Sequence, residues 1–395
     1  MADPHRAQDR PVLARGDGLR PERGQAMKFC LGVLAAALLG GAPVLANAAA
    51  DTYAVAQDCT RSALPCYTSL QLALDAAERD RSDRWIEIRV MPGDYEEKPV
   101  IRRNRVKIVG AGRSVSRIHF GAVAQTSGRY HRANWGTPGS ATLTINAAKV
   151  SISGITIENT FDYLANDALA ASDAGKIANP QAVALLLDVA SDSVAISDAA
   201  ILGYQDTLFT NGGRARIARS LIAGNIDFIF GNGQLLIENS EIRTRKRAAE
   251  IAPGDFHSFV AAPSTPLSQS TGLVIYRSRL TREAGVPDAS VALARPWHPT
   301  KRFADGRYAD PEAVGHALFV DCHMDAHIHP DHWAPMNGTS RDGTMSTVFR
   351  PQDARFAERG STGPGAASKP IGMTWSDARS LQEIWQEFAG IALGH

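Results

Sequence analysis

Short alternating apolar and polar runs recur along most of this chain with no helix between them, which narrows the fold more than any other feature. Such runs are Trp85 to Val90, Val106 to Val109, Ala141 to Ile145 and Val150 to Ile157. They continue at Val194 to Ser197, Ala215 to Ala218, Leu235 to Glu238 and Leu273 to Tyr276. Their period of two is that of a strand with one covered face. Most are followed by a polar corner: Glu158-Asn159, Ser197-Asp198, Arg219-Ser220, Glu238-Asn239-Ser240 and Arg277-Ser278. From Ile196 to Ile217 to Ile237 the step is 21 and then 20 residues. A unit that small cannot bury its own apolar face, so copies must stack, and strands alone at this period predict a parallel β-helix. A sandwich or barrel would need tight hairpins between neighbouring strands, and Asn-Gly or Asp-Gly turns are scarce. Two helices frame the strands. Thr68 to Ala77 has helical spacing with Thr68 or Ser69 as its cap, and Ser376 to Ala389 places Leu381, Ile384, Trp385 and Phe388 on one face behind Ser376.

The 395 residues are 44% hydrophobic and 21% charged, with a formal net charge of +1. The charges are interspersed, so no basic stripe argues for nucleic acid. Met27-Lys28, the apolar run Cys30 to Leu39 and the small-residue end Ala46-Asn47-Ala48 read as a secretory signal spanning 27–50. A retained membrane helix is the alternative, but Gly40, Gly41 and Pro43 interrupt a run already short for a span. Residues 1–26, polar and Arg-rich, read as an extension ahead of the natural start, and 51–395 as one domain with no membrane span. Export places Cys59 and Cys66 in an oxidising compartment, where they are close enough to close a small loop. Cys322 is left over and reads as a buried thiol within a strand.

Two acids stand out. Gly203-Tyr204-Gln205-Asp206-Thr207-Leu208-Phe209 is followed by Gly224-Asn225-Ile226-Asp227-Phe228-Ile229-Phe230-Gly231, with Asp206 and Asp227 separated by 21 residues, one repeat. Stacking would then set them on neighbouring rungs, about 4.8 Å apart. Carboxyls that close do not both ionise readily, so one remains a protonated acid while the other is a nucleophile. Either Asp alone is also a common turn former. Gln181 precedes Gln205 by about one rung, which brings two amides near the acids as candidate oxyanion donors. Arg295, in Leu293-Ala294-Arg295-Pro296-Trp297, offers a fork that can hold a carboxylate ionised, and Trp297 a flat face of the kind sugars stack on.

Together these segments resemble the pectin methylesterase family in its bacterial branch. Gly93-Asp94-Tyr95-Glu96-Glu97, Gln181 to Ala184, Gly203 to Leu208, Gly224 to Gly231, Arg295-Pro296-Trp297 and the tail Phe356 to Ala366 match its motifs in order. The resemblance implies an all-β, single-stranded right-handed parallel β-helix with short N- and C-terminal helices. It implies an exported carbohydrate esterase, acting as a monomer on pectin or homogalacturonan without cofactor or metal. In that case Asp227 is the nucleophile, Asp206 the general acid/base, Gln205 and Gln181 the oxyanion donors and Arg295 the group that positions Asp227. Phe230, Trp297 and Met336 would line the sugar groove. Ala294 replaces a glycine usual before the arginine. The stretch Thr160 to Pro180 and the insertion Ala248 to Phe259 resemble those of a bacterial branch that includes esterases or thioesterases of unproven pectin activity, so an ester or acyl thioester hydrolase with a non-pectin substrate is the alternative. His323, His327, His329 and His332 crowd one segment, which reads as a solvated loop with one or two packed histidines rather than a zinc site. Val109-Gly110-Ala111-Gly112-Arg113 lacks the following helix of a dinucleotide loop and reads as a turn.

Overall fold

The structure, a computed structural model, describes residues 51–130, 136–367 and 381–393. The signal at 27–50, the extension 1–26 and the cap Ser376 lie outside these residues. The chain winds through three parallel sheets of eleven, eight and seven strands, contributing one strand to each per turn. One such turn runs Arg214–Ala218, Leu221–Gly224 and Ile226–Gly231, and the next begins at Gln234–Glu238. The architecture is the parallel β-helix that the repeat predicts. Two antiparallel hairpins, Thr300–Phe303 with Gly306–Ala309 and Met336–Gly338 with Thr347–Phe349, project from it.

The repeat works because inward positions stack on their own kind. Ile88, Ile108, Ile152, Ile196, Ile217, Ile237, Ile275 and Phe319 pair rung by rung in the eleven-stranded sheet, none more than 1% exposed. Branched side chains suit this pleated column, and each is covered from both sides by its neighbours.

The polar corner after each of these strands has a conformational reason. Gly154, Asp198, Arg219, Asn239, Arg277, Asp321 and Gly360 occupy equivalent positions, and all have φ between 45° and 70°. That left-handed conformation turns the chain sharply into the next sheet and favours Gly, Asn and Asp. It also divides Val150 to Ile157, which reads as one strand in the sequence. Gly154 bends it, leaving Val150–Ser153 and Thr156–Asn159 in different sheets. One residue beyond each corner, Ser220, Ser240 and Ser278 form a column: Ser220 N–H donates to Ser240 Oγ and Ser240 N–H to Ser278 Oγ. Cys322 continues this column, with its N–H donating to Ser361 Oγ. The thiol is buried as expected, but it sits in the corner before His323–Met324, not within a strand.

Helix α1, Leu70–Arg79, buries Leu70, Ala73, Leu74 and Ala77 against the first strands, with Ser69 as its cap. Glu97 accepts the N–H groups of Leu70 and Gln71, placing an anion at the helix start. A second helix, α2 at Tyr163–Ala168, lies in the stretch Thr160 to Pro180 and has no counterpart in the sequence reading; at six residues it is too short to show a period. The last helix, α3 at Leu381–Phe388, lays Ile384 and Phe388 over Ala195, Leu236, Val274 and Leu318 on the outer face of the long sheet. Among the described residues no helix is long and apolar enough to cross a membrane. Cys59 and Cys66 are joined by a disulfide across a sequence separation of 7.

Candidate active site

The seven-stranded sheet brings the two acids together. Leu208 pairs with Ile229 and Phe209 with Phe230, so the segments ahead of these strands stack at the same 21-residue step, and Asp206 N–H donates to Ile226 O at 3.0 Å. Both aspartates adopt left-handed backbone, φ 63° at Asp206 and 50° at Asp227, costing about 1–2 kcal/mol each. Such strain persists where the surroundings fix the turn, and it is common at functional sites. At Asp227 the register against the next rung also slips: Ile226 pairs with Phe259 but Ile229 with Ala261, one residue short. The extra residue is a bulge that re-aims side chains. Phe228 goes fully into the core, while Asp227 remains 7% exposed.

Arg295 reaches back across a rung to Asp227. Its Nε donates to Oδ1 at 2.7 Å and one terminal nitrogen to Oδ2 at 2.6 Å, a two-point fork. The guanidinium carbon stands 3.8 Å from the Phe259 ring centre, a cation–π seat that fixes its plane. Burial opposes the charge on Arg295, but Asp227 and Asp206 outweigh it and raise its pKa. Asp206 has no such partner. Burial first and the neighbouring Asp227 second push its pKa well above the usual carboxylate range, with Arg295 offsetting a part. The site therefore holds one carboxyl paired with a cation and one favoured in its protonated form.

Ala182 N–H donates to Gln205 O at 3.1 Å, which puts Gln181 and Gln205 on adjacent rungs. Gln181 Oε1 is buried without a hydrogen-bond partner, the sort of unsatisfied group that calls for an explanation such as function. Phe230 stacks on Phe209, ring centres 4.2 Å apart, and Trp297 leans on both at 5.6 and 6.3 Å. Ala141, Val183, Leu186 and Ala262 complete this cluster, of which half-buried Trp297 presents the accessible face. Phe209 was missing from the sequence reading of the groove, although its 21-residue step from Phe230 was visible. Met336 pairs with Phe349, whose ring stacks on His298 at 3.5 Å, so its hairpin is tied to the stretch carrying Trp297.

The two insertions singled out in the sequence meet beside this site. Asp167 in α2 accepts Arg247 at 3.2 Å and the N–H groups of Ala248 and Ala249 at 2.9 Å. The histidine-rich stretch lies on the rung after the strand that leads into Arg295: Leu293 N–H donates to His332 O at 2.6 Å, and the His329 ring stands 4.8 Å from that of Phe256. His327 and His332 are fully buried in irregular backbone, so His327 and His329 do not share a strand face, and burial takes His327 down to about 4. Among the described residues no group of three His, Cys, Asp or Glu side chains is placed to hold a metal.

The chain is similar to known proteins over most of its length. The pectinesterase family model matches residues 53–389. Pectinesterase A of Dickeya chrysanthemi is 37% identical over 365 residues, covering 92% of this chain and 98% of that relative. Among solved structures, pectin methylesterase PemA from Erwinia chrysanthemi superposes with a TM-score of 0.78 at 35% identity, covering 87% of this chain and 98% of that one. The pectin methylesterase from Yersinia enterocolitica gives 0.73 at 37% identity, covering 82% and 97%. Similarity of this extent over nearly all of the wound region shows that the chain belongs to the pectinesterase family, as an enzyme of that family.

Proposed function

We propose that this enzyme hydrolyses methyl esters of galacturonate units in pectin and releases methanol, with Asp227 as nucleophile and Asp206 as general acid and then base. One observation carries the reading: two carboxyls on adjacent rungs, one forked by Arg295 and the other buried and favoured protonated. Asp227 attacks the ester carbonyl carbon, and the oxygen that becomes negative is held by the amides of Gln205 and Gln181. As the C–O bond to methoxide breaks, Asp206 delivers its proton and methanol departs. The intermediate is an anhydride between Asp227 and the galacturonate carboxyl. Asp206, now ionised, takes a proton from water, which attacks the anhydride at the sugar carbonyl and regenerates both acids.

The substrate class rests on the aromatic wall. Trp297, backed by Phe230 and Phe209, supplies a flat face for pyranose rings. A related pectin methylesterase structure contains a hexasaccharide, at 36% identity to this chain and a TM-score of 0.79. The chain works outside the reducing cytoplasm: the Cys59–Cys66 disulfide fits an oxidising compartment, and 27–50 reads as its export signal.

Purified protein incubated in parallel with methylated pectin and with a small acyl thioester tests the assignment. Methanol release from pectin is expected, lowered on the order of 10⁴-fold in Asp227→Ala and 10²- to 10⁴-fold in Asp206→Asn. Thioester turnover without methanol release would redirect the substrate, and an active Asp227→Ala would overturn the nucleophile.

A further inference from the structure

The two glycines that open the catalytic segments, Gly203 and Gly224, are 21 residues apart, and on the next rung Arg245 follows Thr244, the register partner of Gly224. Its backbone N–H donates to Gly224 O at 2.7 Å, and its guanidinium Nη1 donates to Gly203 O at 3.0 Å. The same guanidinium lies 3.8 Å from the ring centre of Tyr204, which also stacks with Tyr163 of α2 at 5.1 Å and 8° between planes. Glu283 fixes the arginine from behind, accepting Nε at 3.1 Å and the N–H of Lys246 at 3.1 Å. Arg245 thus joins both catalytic turns from beneath without touching either aspartate by any of these bonds.

We infer that Arg245 is a positioning residue for the Gly203-Tyr204-Gln205-Asp206 turn, and through it for the acid and the oxyanion amide. This inference rests on the reading of Asp206 as general acid. Asp206 sits at φ 63°, a conformation that persists only where its surroundings hold it. Its other ties are Gly203 N–H to Ala223 O, Asn225 N–H and the Thr207 hydroxyl to Tyr204 O, Ala182 N–H to Gln205 O, and Asp206 N–H to Ile226 O, none of which comes from a charged side chain. The guanidinium adds a carbonyl bond at the start of the turn and a planar seat for the next side chain. The geometry asks for a fork that is planar and always charged, so lysine cannot replace it fully. Glu283 balances its charge, so the effect on Asp206 comes through placement and exclusion of water. A tightly seated turn keeps Asp206 buried, and burial is the first cause that raises its pKa.

The test compares Arg245→Met and Arg245→Lys with wild type in steady-state methanol release across pH, with Asp206→Asn measured alongside. Arg245→Met is expected to lower kcat about 10- to 100-fold with KM within about threefold, since small displacements of a catalytic group act on the chemical step. The alkaline limb of its kcat profile moves to lower pH, because water reaching Asp206 favours the ionised form. Arg245→Lys, which retains a donor for Gly203 O but not the stack, falls between. Wild-type kcat and limb in Arg245→Met overturn the inference, as does a loss of kcat that only follows loss of folded protein with the limb unmoved. If Arg245→Met does not fold, Glu283→Gln carries the test: a smaller drop with the same limb shift supports the role, and an unchanged profile overturns it. An active Asp206→Asn overturns the reading of the acid itself, whereas an inactive Asp206→Asn with a wild-type Arg245→Met overturns only the role of Arg245.

Discussion

The pairing of Arg295 with Asp227 makes a quantitative demand on stability that is separate from catalysis. Two charge-assisted hydrogen bonds at 2.7 and 2.6 Å join side chains only 19% and 10% exposed. Each such bond contributes about 1.5–3 kcal/mol against water, yet desolvating both ions offsets much of that sum. Removing one partner is different in kind, because it strands the other as an uncompensated charge at a cost of about 3–5 kcal/mol. Asp227→Leu leaves a guanidinium that cannot shed its proton but still faces Phe259 at 3.8 Å, so its cost falls toward the lower end of that range. Arg295→Met leaves a buried carboxylate without its cation, at a cost within the same range. The double variant buries two apolar groups and is expected within about 1 kcal/mol of wild type, since apolar replacements of buried pairs are often neutral. The cycle should therefore give a coupling of at least about 5 kcal/mol. Urea unfolding of the four proteins at neutral pH, followed by tryptophan fluorescence and circular dichroism, measures it. High salt should change the coupling little, as buried pairs are poorly screened. Single costs that add to the double within about 0.5 kcal/mol would refute the reasoning, because independent sites behave in that way.

Asp206 is held in the fold at a cost in stability at neutral pH. Its folded pKa lies above its unfolded value, so the stability it contributes is fully present below the unfolded value and lost as pH rises through the folded one. Asp206→Asn should accordingly be more stable than wild type at neutral pH, with the gap closing in acid; urea midpoints across pH check this, and parallel curves would refute it. In the corner column, the Cys322 thiol takes the place of a serine hydroxyl, accepting the Ser278 N–H and held by burial at a pKa of about 12. Cys322→Ser should hold stability within about 1 kcal/mol, whereas Cys322→Val strands that N–H at about 1–3 kcal/mol; equal unfolding midpoints for the two would end the column argument.

Much of this protein was readable because a β-helix translates sequence spacing directly into space. When the repeat step equals one turn, residues 21 apart stack, so the neighbouring rungs of Asp206 and Asp227 and the Ile196–Ile217–Ile237 column followed from counting. The same rung spacing put Gln181 near Gln205, while Arg295 stood out by its residue type, and the motif resemblance supplied the roles of all three. Counting fails where the step changes. Glu238, Tyr276, Val320 and Arg359 occupy successive rungs, yet intervals of 38, 44 and 39 residues separate them, because these turns carry insertions.

What the sequence determined alone is periodic: the architecture, the inward isoleucines, the polar corners and the two acids at one repeat. Tertiary structure decided the rest, because burial and direction depend on neighbours that no local pattern specifies. The bulge at Asp227 turns its carboxylate toward a guanidinium 68 residues later. Gly154 divides an unbroken alternation between two sheets, and α2 forms where the chain has no room for a full period. Only the packed rungs make one aspartate paired and the other protonated, since the two differ in what surrounds them and not in what they are.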